Sequence, residues 1–309
     1  DDAERYDQPA LTDYLNRFLA YLHQNDTYGF RLRDDQPFDI CRKAAVMNKM
    51  ERFEIQVSPF SVWCKNENRR EFTDVVFDTS DKKHPTTTLN LFGGYKAKML
   101  DRKVEAAEVE VFLYHLRDVI CRGHEENYHY YLRWWAWFFQ KGRTGIMVIL
   151  LSEAKGTGKN IILELLAEHV IGDEYVAVTD KIDTVVRRFN AVMVEKALIV
   201  ANELKDISKS GKESSRVEEV IKTLVKDRTT AIEKKGVDPL IVPSTANFHA
   251  TSQYQVPLKI DRDQRRFVLF DVSSHKKGDH QYFENLAEFV KDHANEIFTY
   301  LNQNDLTGW

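Results

Sequence analysis

Lys155-Gly156-Thr157-Gly158-Lys159-Asn160 stands between an apolar run, Ile146 to Leu151, and a helical pattern that starts at Asn160. Two glycines let a chain curl its backbone N–H groups around a polyphosphate, and a helix start beyond them adds partial positive charge. Lys159 would meet the outer phosphates as a mobile point charge. The first glycine usual in such loops is replaced by Glu153, and the hydroxyl residue that usually comes after the lysine is Asn160. Asn160 could still offer its carbonyl oxygen to Mg2+ or to a coordinating water, less tightly than a hydroxyl. On this reading Lys155, Gly156, Thr157, Gly158, Lys159 and Asn160 bind a nucleotide.

Three other groups could complete hydrolysis of that nucleotide. The apolar run Ala197 to Ala201 ends in Asn202-Glu203, and ligands in open α/β sheets bind at the carboxyl ends of strands. Glu203 could orient a water for attack or hold Mg2+ through water; alone it could equally be a helix cap. Asn202 stands where an acidic pair would have its first member. Leu240 to Val242 reads as a strand leading to Asn247, whose amide could touch both the γ-phosphate and the lytic water. A single Asn in a turn usually does neither, but Lys159, Glu203 and Asn247 would each close a separate strand. Arg262, Arg265 and Arg266 precede Phe267 to Phe270. A guanidinium there could reach a neighbouring subunit's γ-phosphate, worth roughly 10³–10⁵ in rate, or could simply pair with Asp261 and Asp263. Thr230 to Val237 alternates and turns at Gly236, giving a hairpin with Lys234 and Lys235 near its tip. Such lysines could track a nucleic-acid backbone without reading sequence, or could merely be solvated.

The elements that would position these residues divide the chain. Residues 1–100 predict an irregular α+β region with short β-like runs such as Phe53 to Val57 and Asp74 to Phe77. Residues 101–142 predict a helical region that packs on the nucleotide-binding part of the chain. Its first helix spans Val104 to Cys121, and its second, Asn127 to Gln140, carries eight aromatic residues. Those rings could stack on bases, but aromatics at helical spacing read more simply as core. Residues 143–309 alternate strand and helix, which predicts an α/β core: a parallel sheet flanked by helices. A capping box at Ser215 and Glu218 opens one of these helices, and a last one spans about Gln281 to Leu301.

Composition sets the outer limits. Lys and Arg total 44 against 48 Asp and Glu, a net charge of −4, which argues against a blanket nucleic-acid coat but leaves room for a local basic site. Cys41, Cys64 and Cys121 have no CxxC spacing and are too few for a disulfide framework or a zinc site. An intracellular setting is therefore expected. The longest apolar run falls far short of the ~18–20 residues needed to cross a bilayer. The acidic start does not read as a signal peptide, and the absence of an initiating Met reads as a piece of a longer protein.

Taken in order, Gly156 to Asn160, Ala197 to Glu203, Ile221 to Gly236, Ser244 to Asn247 and Asp263 to Phe267 resemble the motifs of superfamily 3 helicases, specifically the helicase part of viral and plasmid primase-helicases of the poxvirus type. Leu89 to Tyr95 and Tyr131 to Trp137 resemble elements that precede the ATPase in those proteins, so the likeness covers about residues 89–272. It implies a P-loop NTPase fold of AAA+ type and a DNA helicase that hydrolyses ATP with Mg2+. It also implies a homo-oligomeric, usually hexameric ring moving on single-stranded DNA during replication of a virus, phage or mobile element. Lys159, Asn160 and Glu203 would work in cis with Asn247, Arg265 or Arg266 in trans, and Lys234 and Lys235 in the channel. A covalently linked N-terminal primase is a further implied partner, and a membrane is not. Two alternatives stay open. One is an RNA-directed ATPase of the same superfamily. The other is a slowly hydrolysing replication scaffold or loader, which the departures at Asn160 and Asn202 would suit.

Overall fold

A computed structural model describes residues 8–50, 59–179, 195–202, 225, 229–232, 240–253 and 265–308. The chain forms two compact units, the first comprising residues 1–78, 82–93 and 229–243 and the second 79–81, 94–228 and 244–309. The expected 101–142 and 143–309 regions largely share the second unit, and the 229–243 segment groups with the first.

In the first unit, α1 (Gln8–Leu15), β1 (Leu19–Leu22), β2 (Thr27–Phe30), β3 (Asp39–Cys41), α2 (Lys43–Met50), α3 (Pro59–Lys65) and β4 (Glu71–Phe72) build one layered body. The sheet runs β3-β2-β1-β4, and its apolar face closes on Leu15, Leu19, Phe30, Val46, Phe60 and Trp63. Trp63 meets its one polar demand by donating its indole N–H to Asn16 Oδ1 at 2.8 Å. β5 (Asp74–Val76) and β6 (Thr88–Asn90) pair in parallel. The expected strand at Phe53 to Val57 lies outside the described residues.

The second unit begins with α4 (Glu110–Tyr114), which widens at His115–Ile120 into a π-turn, and continues with α5 (Glu125–Lys141). The aromatic residues of α5 are core: Tyr131, Trp134, Trp135 and Phe138 are wholly buried. Gly142 ends this helix at φ +76, a backbone angle that suits glycine.

Next come β7 (Met147–Leu151), α6 (Ile161–Leu165), β8 (Val176–Thr179) and β9 (Leu198–Ala201), then the hairpin strands β10 (Thr229–Ile232) and β11 (Leu240–Pro243), which group with the first unit, and β12 (Asn247–Ser252) and β13 (Phe267–Asp271). The chain closes with α7 (His280–Asp292) and α8 (Ala294–Asn302), so the single terminal helix expected is two. Five strands form one parallel sheet in the order β13-β7-β12-β9-β8. Met147, Ile149, Ile199, Ala201, Phe248 and Ala250 share the core on one face. On the other face, His249 meets α5 through Tyr131 and the rings of Trp134 and Trp135. Burial on both faces is what the apolar runs at 146–151 and 197–201 predict.

Two expectations fail at 240–252. Leu240 to Val242 is not a strand of this sheet. It pairs antiparallel with Thr229–Ile232, and Ile241 is 70% exposed. The sheet strand is instead Asn247–Ser252, whose polar sequence conceals complete burial. The hairpin is present as two paired strands, but its tip, with Lys234 and Lys235, lies outside the described residues, as does the expected helix from Ser215.

Candidate functional site

The register fixes which residues can meet. β7 pairs with β12 as Leu151↔Ser252 and with β13 as Leu151↔Asp271. All three strands therefore deliver their last residues to one edge. β7 lies between strands that come after it in sequence on both sides, which is the kind of crevice where open α/β sheets bind ligands. The 152–160 loop starts there, anchored by Ser152, whose N–H donates to Ser252 O at 3.0 Å and whose hydroxyl donates to Ala154 O at 3.0 Å.

Within the loop, Gly156 and Gly158 take φ values of +71 and +88. A side chain at Gly158 would be excluded twice over, because a Cβ would lie 2.5 Å from Phe283 Cε1 and 3.1 Å from His115 Cε1. Thr157 and Lys159 are 1% and 9% exposed. Asn160 carries the loop into α6: its carbonyl accepts from Leu163 N–H at 3.0 Å and Glu164 N–H at 3.1 Å. Its side-chain Nδ2 donates to Asn202 Oδ1 at 3.4 Å. The loop and the tip of β9 are thereby brought together, as the motif spacing requires.

Two buried oxygens in this loop, Thr157 Oγ1 and Asn160 Oδ1, have no hydrogen-bond partner among the described residues. Buried polar atoms without partners cost roughly 1–3 kcal/mol each, so a ligand that met both would recover that cost. Both are oxygens. A hydroxyl can donate to a phosphate, and a carbonyl can face a cation or a cation-bound water, so the pair fits a phosphate with Mg2+. Beside the loop opens a cleft of about 490 Å³ lined by Arg122, Ser152, Glu153, Ala154, Asp271 and Ser274, with Arg122 and Asp271 ion-paired across it.

Asn247 is not at this edge. It begins β12 opposite Leu198, five residue steps or roughly 16 Å from the loop end of that strand. Its side chain is a structural clamp. Oδ1 accepts from Thr144 N–H at 2.7 Å, while Nδ2 donates to Gly142 O at 3.1 Å, Thr245 O at 3.1 Å and Ala197 O at 3.3 Å. The expected contact of Asn247 with a phosphate is corrected accordingly. The amide that β12 does deliver to the carboxyl edge is the half-buried Gln253, directly after Ser252. Strict two-residue alternation in Phe248-His249-Ala250-Thr251 is the signal that could have located this strand and its tip.

Arg265 and Arg266 precede β13 at the amino edge, where Arg266 O accepts from Met147 N–H at 2.8 Å. They lie at the opposite end of β7 from Lys159 and cannot reach it within one chain. Glu203, Lys234, Lys235 and Arg262 lie outside the described residues. Among the described residues no group of His, Cys, Asp and Glu side chains is arranged to hold a metal, and no helix is long and apolar enough to cross a membrane.

Comparison with known proteins finds likeness to a family of unknown function, to one phage protein and to solved structures of that protein's C-terminal region. Residues 150–266, from the end of β7 to Arg266, match a family described as a family of unknown function (DUF5906). Over 175 residues the chain is 25% identical to the DNA primase-polymerase of Nitratiruptor phage NrS-1, covering 55% of this chain and 23% of that protein. The chain thus spans about a quarter of that relative's length. The apo structure of the NrS-1 C-terminal region (305–718) superposes with a TM-score of 0.72 at 19% identity, over 98% of this chain and 70% of that one. A second apo form of the same region gives 0.70 at 18% identity, over 96% and 69%. The chain has the mixed α/β fold of that C-terminal region, a five-stranded parallel sheet flanked by helices.

Proposed function

We propose that the chain is the motor part of a replication protein: an ATP-dependent helicase of superfamily 3, with a P-loop fold of AAA+ type, acting on single-stranded DNA. The observation that carries this reading is the loop at Gly156–Asn160, with Thr157 Oγ1 and Asn160 Oδ1 buried and unpartnered beside Asn202 at the tip of β9. Similarity to a phage DNA primase-polymerase supports DNA over RNA.

Each group has a separate task in this reading. The backbone N–H groups of 156–159 hold the phosphates, and Lys159 neutralises the outer ones. Asn160 and Glu203 would hold Mg2+, which would supply charge neutralisation at the phosphates. Glu203 orients the attacking water. Gln253, at the tip of β12, takes the polar contact to the γ-phosphate. Arg265 or Arg266 serves the loop of a neighbouring copy, which their position at the amino edge requires if they serve any loop. Lys234 and Lys235 track the DNA backbone in the channel of a homo-oligomeric, hexameric ring. A primase covalently joined upstream completes the protein.

A second reading has one observation in its favour. Asn160 and Asn202 form an amide pair where a hydroxyl and a carboxylate would normally hold the metal, and this suits a slowly hydrolysing scaffold or loader. Calorimetric titration with Mg·ATP tests what both readings share. Wild type should bind, and Lys159→Ala should lose at least tenfold in affinity; equal binding by the two would place the nucleotide elsewhere. Turnover then separates the readings, since a loader would bind as tightly but hydrolyse far below one ATP per second.

A further inference from the structure

Behind Gly158 lies a cluster that the nucleotide reading does not use. His115 is wholly buried, sits at the first position of the π-turn, and bonds through Nδ1 to the Tyr282 hydroxyl at 2.9 Å. Its ring stacks on Tyr282 with centroids 6.0 Å apart and meets Phe283 edge-on at 6.4 Å. His115 Cε1 and Phe283 Cε1 are the atoms that crowd the Cβ position of Gly158. The ring also interacts with the backbone of Gly158, which offsets a little of the cost of burying it. π-Turns are frequent at functional sites, and this one opens with the ring that faces the loop.

Tyr282 and Phe283 come from α7, whose start is fixed independently. Asp279 caps it by accepting from Tyr282 N–H at 3.1 Å and pairs with Lys276 at 3.2 Å. The segment leading to it is tied back by Ser273 N–H, which donates to Val119 O at 2.8 Å in the same π-turn. Two elements distant in sequence thus converge on one glycine of the loop.

We infer that His115, held by Tyr282 and backed by Phe283, is a positioning residue that fixes the backbone at Gly158, so that the loop's N–H groups are set for an anion before it arrives. The consequence for binding rests on the nucleotide reading; the consequence for the loop backbone does not. A preset loop loses less entropy on binding than one that must be ordered by its ligand. None of the three side chains would touch the phosphates.

Tyr282→Phe removes one hydroxyl and leaves the ring, so the fold should survive. Hydrogen exchange on the full chain without nucleotide should show the amides of residues 156–160 exchanging roughly fivefold faster, the worth of one hydrogen bond, with β7 and α8 unchanged. His115→Ala should exceed this effect, and His115→Asn, which keeps a polar atom near Nδ1, should fall between it and wild type. Affinities for Mg·ADP and for inorganic pyrophosphate should weaken together by a similar factor, because the loop meets only phosphate. Unchanged loop exchange in Tyr282→Phe and His115→Ala, or exchange raised equally throughout the unit, would overturn the inference. Lys159→Ala in the same titrations judges the nucleotide reading separately. If wild type binds neither probe, that reading fails while the exchange result still decides the role of His115.

Discussion

Asn247 and Gln253 bracket one strand, and substituting each should separate stability from turnover. Asn247→Ala leaves the Thr144 N–H and the three carbonyls it serves short of a partner. It should cost roughly 2–3 kcal/mol in urea unfolding, with nucleotide affinity of the folded fraction unchanged. Gln253→Ala should cost under about 1 kcal/mol and lower the ATP turnover rate roughly 10²-fold, in the range found when one pre-set polar contact is removed. If Asn247→Ala abolished turnover at full stability, the assignment would be reversed. A pH dependence belongs to the same scale. Burial pushes His115 down to about 4 and His249 down to about 3 from an ordinary 6.5. The unfolded chain therefore takes up these protons first, between about pH 6.5 and each folded value. Stability rises with pH through that window and is lost on acidification, by roughly 2 kcal/mol per histidine at pH 5 relative to neutral pH. Unfolding at pH 8 and pH 5 should show this slope, and His249→Phe should flatten part of it.

Among the elements, the loop and the strands that flank it carry the geometry. Gly158→Ala forces a Cβ to within 2.5 Å of Phe283 at a φ of +88; it should displace the loop and lose nucleotide binding, while melting of the chain shifts by only a few degrees. Retained affinity would show that the loop backbone is not the anion cradle. The strand–loop–helix at 147–165, the buried strand at 198–201 and the aromatic core helix could all be read in the sequence, because local signals there agree: apolar runs, paired glycines and rings at helical spacing. β12 shows only the short alternation of Phe248 to Thr251, outweighed by Asn247, His249, Thr251 and Ser252, which read as surface residues. Asn247 is tolerated inside because its amide meets four backbone groups, and His249 because Nε2 meets the Tyr131 hydroxyl at 2.9 Å. Leu240 to Val242 misled for the opposite reason: three apolar residues resemble a buried strand, but they pair in a hairpin with Ile241 exposed. Site residues on β12 were displaced with it, by the length of the strand.

At the scale of the molecule, a mildly acidic chain is compatible with a DNA motor if positive charge is needed only around a channel, where copies of Lys234 and Lys235 would gather. Light scattering of the chain with ATP and single-stranded DNA should give a mass close to six times the 36.1 kDa protomer; a monomer under all conditions would leave Arg265 and Arg266 without a loop to serve. The measurement that bears most directly on the whole account is ATP hydrolysis with and without single-stranded DNA. Wild type should hydrolyse ATP faster when the DNA is present, and Lys159→Ala and Glu203→Gln should each abolish the stimulated rate. Stimulated hydrolysis that survives both substitutions would contradict the proposed site.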